Sequence, residues 1–422
     1  MCSSPVDPEE RSACSREVEH RVSTVREQTR RNYVRTAAVA SLVGIGASTA
    51  RGQNELNSDE TIRVPRDQPT VQDAVDEADG GDLVLVDPGT YDEAVEVSTP
   101  ELTIRGTDRN EVVLDGEFQR DHGVRIEADG VALENLTARH YTGNAFYWRY
   151  VYGFRGSYLT AYNNGDYGAY AYRSSNGRFE HSYASGHPDA GFYLGYHNPF
   201  DAVVTDVIAE HNALGYSGTS AGGNLTIRDS VWRHNVAGIV PNTLGEEDPP
   251  QRSCHIVGNE VSENHNSDAP TRAYTAEMFG AGILLWGGQE NLVENNEVRD
   301  HEHFGIAATA NVVEPSGNVV RNNDVSGSGT ADLALGEPAD EGNRFADNEF
   351  ETSLPSGIED DSSEGDPRVG GVFEARARLV DDGEFASGDW REQPEPDDQP
   401  TMPDPGIRPR PAERGTSWNG PR

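Results

Sequence analysis

Phe146, Trp148, Tyr170, Tyr172, Tyr193 and Tyr196, with Arg149 and Arg173 beside them, form the group in this sequence best suited to chemistry on a ligand. Thirteen of the sixteen tyrosines fall between residues 141 and 216, so the aromatic supply is concentrated in one part of the chain. Aromatic faces stack on sugar rings, and an arginine fork holds a carboxylate through two parallel hydrogen bonds. An acidic polysaccharide laid across these residues is the ligand that such a set suits. The same residues also fit a second reading, cross-strand aromatic pairing that only stabilises a sheet.

Other groups could add acid, base or metal chemistry. His187, His211, His234 and His301 each precede a glycine by four residues, and aligned imidazoles are ligands for copper or zinc. Stacked turn histidines with backbone partners explain the spacing without a metal, and that is the reading preferred. His187-Pro188-Asp189 is a His–Asp pair close to the aromatic group, and His197 lies just beyond Tyr196. Glu246, Glu247, Asp248 and Asp268 offer oxygen ligands of the kind calcium takes, or are acidic loops facing solvent. No lysine occurs anywhere, which removes every mechanism with a lysine base. Arg149 and Arg173 remain as arginine bases, although a guanidinium is ordinarily protonated and a poor base. Serine and cysteine nucleophile motifs are missing.

The elements that must carry these residues follow from one repeat. Glycines recur at 168, 191, 215, 238, 282 and 305, in steps of 23, 24, 23, 44 and 23. The long step holds two insertions, residues 241–252 and 266–279. One place beyond the glycines stand Ala169, Phe192, Tyr216, Ile239, Ile283 and Ile306, all able to face inward. Two places beyond, Tyr170 and Tyr193 then face outward. Counting in the same way from Asn144 puts Phe146 and Trp148 outward as well. Strands of period two, stacked at a constant repeat with no amphipathic helix between them, predict an all-β single-stranded parallel β-helix. Neighbouring strands stand about 4.8 Å apart, close enough to join the aromatic residues into one sheet. Thr70 can cap a helix whose Val71, Ala74, Val75 and Ala78 share a face, and such a helix would close the open end of the solenoid.

The opening TVQDAVDEADGGDLVLVDPGTYDEAVEV resembles that of right-handed β-helix proteins of the pectin-lyase-like superfamily, and the later coils resemble NosD-like repeats. The resemblance spans residues 61 to 350. It implies the fold and a wide choice of activities, because lyases, hydrolases, epimerases, esterases and proteins without chemistry share it. The Asn-Thr-Asp, Asp-Asp and Gly-His-Gly stations of polygalacturonases are not found in the coils. The order His-Pro-Asp is the reverse of the Asp-Pro-His of alginate epimerases, so no role carries over. An enzyme of this kind would then be a lyase or epimerase sooner than a hydrolase. Its rivals are a non-catalytic envelope or adhesion protein and a NosD-like metal-handling accessory. Asn259, Asn296, Asn323 and Asn348, with Asp206 and Asp229 before them, read as stacked turn residues bonding coil to coil.

Composition bounds the partners. A net charge of −38 with arginine as the sole strong base repels nucleic acid and anionic membranes. Such a lysine-free acidic surface resembles that of haloarchaeal proteins, where salt screens the self-repulsion. Arg30-Arg31 ahead of TAAVASLVGIGASTA resembles a twin-arginine export signal, too short in its apolar part to span a bilayer. The organisation expected is residues 1–50 as extension and signal, 51–60 as linker, 61–350 as β-helix and 351–392 as a cap or tail. Residues 393–422, rich in proline and acid, are expected to be disordered. A secreted or surface protein without a transmembrane helix in its mature form, meeting a cell-envelope glycan, is the resulting expectation.

Overall fold

The computed structural model describes residues 60–245, 248–360 and 364–409. Short parallel strands from Thr61 to Leu354 stack into three sheets of twelve, eleven and ten strands. Each sheet takes one strand from successive coils, so the chain winds as a right-handed parallel β-helix. Its core is the column of inward side chains. In the eleven-stranded sheet Ala169 pairs with Phe192, Phe192 with Tyr216, Tyr216 with Ile239, and Ile239 with Ile283. Tyr216 and Ile239 are wholly buried, as the count from Gly215 and Gly238 predicts.

Helix α1 (Val71–Glu77) lies at the N-terminal end and buries Val71, Ala74 and Val75. The Thr70 hydroxyl accepts from the Asp73 amide at 3.0 Å, while the amides of Val71 and Gln72 donate to the Glu93 carboxylate. These bonds satisfy three of the amides that every helix start leaves unpaired.

Inside the turns run side-chain ladders. Asn259, Asn296, Asn323 and Asn348 bond coil to coil at 2.9 Å. Asp206 and Asp229 are not part of it. They occupy exposed left-handed turn positions, and Ser230 takes the station one residue on, accepting from the Val207 amide. A second ladder runs Asn164, His187, Asn212, Asn235, Asn264, His301. The histidine series therefore splits in two. His187 and His301 are interior rungs, whereas His211 and His234 sit at left-handed turn positions outside. The physical reason is turn length. Four residues separate His187 from Gly191, but only three separate Asn212 from Gly215 and Asn235 from Gly238. Counting back from the glycine thus lands one residue off the ladder in those coils.

The face of the eleven-stranded sheet that looks outward is covered over its later coils. Helix α2 (Ala273–Ala276), in the 266–279 insertion, is followed by Met278. Helix α3 (Pro367–Asp381) adds Val369 and Phe373. Together they pack on Leu214, Val240, Leu284, Phe304 and Ala307 in a second apolar cluster. Residues 393–409, whose composition predicts a disordered segment, instead run along the solenoid. Asn163 donates to the Gln393 carbonyl, and the Thr401 hydroxyl and Met402 amide donate to Asn135. Arg105, held by the buried Glu134, donates to the carbonyls of Pro405 and Ile407. A polar segment packs here because the solenoid presents fixed donors and acceptors to its backbone.

Candidate functional site

The tyrosines converge on the uncovered part of that same face. Tyr147 pairs with Tyr170 and Tyr170 with Tyr193, while Arg149 pairs with Tyr172 in the neighbouring column. Tyr147 and Tyr170 stack at 4.7 Å between ring centroids and 11° between planes. Tyr172 bridges Tyr170 at 5.8 Å and Tyr196 at 5.5 Å. Tyr147, Tyr170, Tyr172 and Tyr196 are half-buried, leaving ring surface open to a ligand. Tyr193 is outward too but only 4% exposed, because it packs against the Tyr167 and Tyr170 rings, each at 4.8 Å, and belongs to the second apolar cluster.

Phe146 and Trp148 stand on the other side of the strand. Phe146 pairs with Ala169 and Trp148 with Ala171, and both are fully buried in the solenoid core. The counterpart of the strand glycine in that coil is Ala145, not Asn144, so every residue after it turns over. The outward residues are Tyr147 and Arg149, and the count from Asn144 missed Tyr147. Bulk at Ala145 is tolerated where the other coils need glycine, and that substitution hid the register.

The two arginines differ in availability. Arg149 donates to Glu127 at 2.9 Å and lies over Tyr150 at 4.7 Å. Glu127 also holds Arg125 at 2.6 Å. Arg173 is exposed at a left-handed turn position, over Tyr172 at 5.6 Å, with no ion-pair partner among the described residues. His197 lies across the turn, edge-on to Phe200 at 5.9 Å, and burial pulls its pKa down.

At the other edge stands a pair of carboxylates. Tyr167 pairs with Ala190, which puts Asp166 and Asp189 at the same station of consecutive coils. Asp189 is 2% exposed. Its Oδ2 accepts from the Tyr167 hydroxyl at 2.9 Å and from the Tyr274 hydroxyl, which the insertion brings down over it. Arg272, from the same insertion, donates to Asp166 Oδ1 and to the Gly165 carbonyl, each at 2.8 Å. Burial is the main force pushing the Asp189 pKa up to about 7, with the Asp166 charge adding to it and the two hydroxyls and Arg272 opposing. Burial raises Asp166 as well, and holds both tyrosines in their protonated form. Near neutral pH Asp189 can therefore carry a proton and give it up, the requirement for a general acid.

His187 and Asp189, two residues apart, do not act together. The His187 ring lies in the interior ladder with its pKa lowered by burial to about 4, while Asp189 faces out. Asp166, Tyr167, Arg272 and Tyr274 were missed from sequence. A signal for the carboxylates existed, since Asp166 and Asp189 both stand two residues before a repeat glycine. Nothing in the sequence marks residues 272 and 274 as neighbours of residue 189.

Of the four calcium candidates, Glu246 and Glu247 lie outside the described residues. Asp248 and Asp268 are exposed loop residues. Among the described residues no three His, Cys, Asp or Glu side chains are grouped to hold a metal ion.

No family model matches the chain, and no curated protein is found as a relative. Solved structures do resemble it. DFA-IIIase from Arthrobacter chlorophenolicus A6, solved without its lid in complex with GF2, has a TM-score of 0.52 at 10% identity, over 73% of this chain and 98% of that one. The A-module of mannuronan C-5 epimerase AlgE6 from Azotobacter vinelandii gives 0.48 at 14% identity, over 67% and 91%. An alginate lyase from Paenibacillus sp. str. FPU-7 gives 0.47 at 13%, over 70% and 99%. At such identities the likeness is one of fold, and scores below 0.5 carry no argument. What the stacked sheets and the first of these likenesses establish is the fold, a right-handed parallel β-helix.

Proposed function

We propose that this chain binds an acidic polysaccharide on the tyrosine face and acts on it there by proton transfer. The observation that carries the reading is the platform of Tyr147, Tyr170, Tyr172 and Tyr196, lying between the unpaired Arg173 and the buried carboxylic acid of Asp189. Stacking supplies affinity that tolerates high salt, and Arg173 selects a carboxylated sugar. Elimination and epimerisation both begin by removing the proton beside a sugar carboxylate. Elimination then protonates the departing glycosidic oxygen, and epimerisation returns a proton to the opposite face of the carbon. With a pKa of about 7, Asp189 can take the first proton as the carboxylate, through the hydroxyl of the exposed Tyr274 that bonds it. It can then return that proton to the departing oxygen, so that elimination balances on this one residue.

Binding of a uronic-acid polymer in molar salt tests this. Tyr147→Ala and Tyr170→Ala should each weaken binding by about 0.5–1.5 kcal/mol. Arg173→Ala should lose more than Arg173→Lys, because lysine keeps the charge and loses the fork. Wild-type affinity in both tyrosine variants, with melting temperatures much reduced, would make the tyrosines structural only. Binding that survives in the wild type without unsaturated or epimerised product would favour a non-catalytic envelope protein.

The acidic, lysine-free composition supports a haloarchaeal-type protein, and Arg30-Arg31 ahead of an apolar stretch supports export. Among the described residues no helix is long and apolar enough to cross a membrane. Arg30-Arg31 lies outside the described residues, and its reading as a twin-arginine signal is tested directly. Changing both to glutamine should retain the protein in the cytoplasm, and unchanged export would remove the assignment.

A further inference from the structure

The tyrosine column has two unlike ends. Toward helix α1 it continues through Arg125, the register partner of Tyr147, to Glu96, the partner of Arg125. There it opens into a cleft of about 410 Å³ lined by Gln72, Asp76, Glu96, Ser98, Arg125 and Glu127. Toward the C-terminal coils it passes through Tyr193 to Ser217 and Val240, and all three are buried. The column is sealed at that point by the same cluster that holds Met278, Val369 and Phe373. Asp189, Tyr167 and Tyr274 stand beside the seal.

We propose that the tyrosine face is a blind groove that accepts the end of a glycan chain and not an internal segment. The inference rests on the glycan-binding reading above. An internal segment must leave the platform at both ends. Leaving past Tyr193 means crossing Ser217 and Val240, which are 3% and 0% exposed because the apolar cluster closes over the face there. That cluster buries too much apolar surface for a stacked sugar to part it. A chain end meets no such obstacle. The terminal sugar lies against Tyr170, at the end of the platform nearer Tyr167, which donates to Asp189. The following sugars cross Tyr147, and the chain departs over Arg125 into the open cleft. From the strand of Tyr170 to that of Glu96 there are three strand spacings, about 14 Å, which is room for a short oligosaccharide. Bond cleavage or inversion at Asp189 would then proceed from the chain terminus.

The experiment compares a graded series of oligouronates with the parent polymer, in molar salt, with the full chain. The readouts are affinity and the number of protein molecules bound per glycan chain. Affinity per chain should rise with oligomer length and then level off once the platform and cleft are filled. The polymer should bind one protein per accepting end, however long it is. A count that grows with polymer length would overturn the blind groove while leaving the glycan reading intact. No binding by oligomer or polymer would remove that reading, and this inference with it. Reduction of the polymer's reducing end supplies a second arm. A blind groove specific for that terminus loses affinity by at least about tenfold, the equivalent of 1.4 kcal/mol. A groove specific for the other terminus keeps its affinity and still binds one protein per chain.

Discussion

Asp189→Asn is expected to flatten the pH dependence of stability between about pH 4 and pH 7 and to leave a more stable protein at neutrality. The carboxyl has an ordinary value of 3.8 and is pushed up to about 7 in the fold, chiefly by burial. Below pH 3.8 both folded and unfolded states hold the proton, and the residue contributes no pH dependence. Between the two values the unfolded chain ionises while the folded one does not, so folding binds a proton and stability falls as pH rises. The loss is complete once the folded group ionises, above about pH 7. Three units at 1.36 kcal/mol each set its ceiling at about 4 kcal/mol. Asparagine has the same shape and still offers an oxygen to Tyr167 and Tyr274, but does not titrate. Its unshared amide protons set a constant offset, whereas the slope belongs to the proton alone. Melting curves of both proteins at constant salt, taken from pH 3 to pH 8, give the comparison. Parallel curves would mean that Asp189 ionises normally and cannot serve as the acid.

Trp148→Ala should destabilise the fold by about 3–5 kcal/mol, the usual cost of emptying a large core site. Trp148 is fully buried, 5.4 Å from the Phe179 ring and 6.1 Å from Phe154, with its indole N–H donating to the Val131 carbonyl at 3.3 Å. Tyr147→Ala, one residue away, removes a half-buried ring from the opposite face and should lower stability much less. Chemical denaturation of the pair reads the register directly. A large loss from Tyr147→Ala together with a small one from Trp148→Ala would put the strand back in the register counted from Asn144. Every outward assignment in that coil would then revert.

The two variants separate what is local from what is not. The parallel β-helix was legible in the sequence because its repeat is local. A strand of period two, a turn and a recurrent glycine specify one coil, and the next coil stacks by repetition. That logic located Tyr216 and Ile239 inside and Tyr170, Tyr172 and Tyr193 on the outer face. It also located helix α1, whose cap is written in residues 70 to 73. It failed where a coil departs from the pattern by one residue. Ala145 in place of glycine turned Phe146 and Trp148 inward, and a turn one residue shorter took His211 and His234 off the ladder that His187 and His301 keep.

Tertiary structure alone decided the site. Tyr193 lies in an apolar cluster with residues as distant in sequence as Met278 and Phe373, and Asp189 is capped by Tyr274, 85 positions on. Contacts at such separations leave no periodic trace, because neither the insertion nor helix α3 repeats anything. The proton on Asp189 has the same origin. An aspartate in a turn is ordinarily ionised, and it took the closing of the insertion over two stacked carboxylates to exclude water and push the pKa up to about 7.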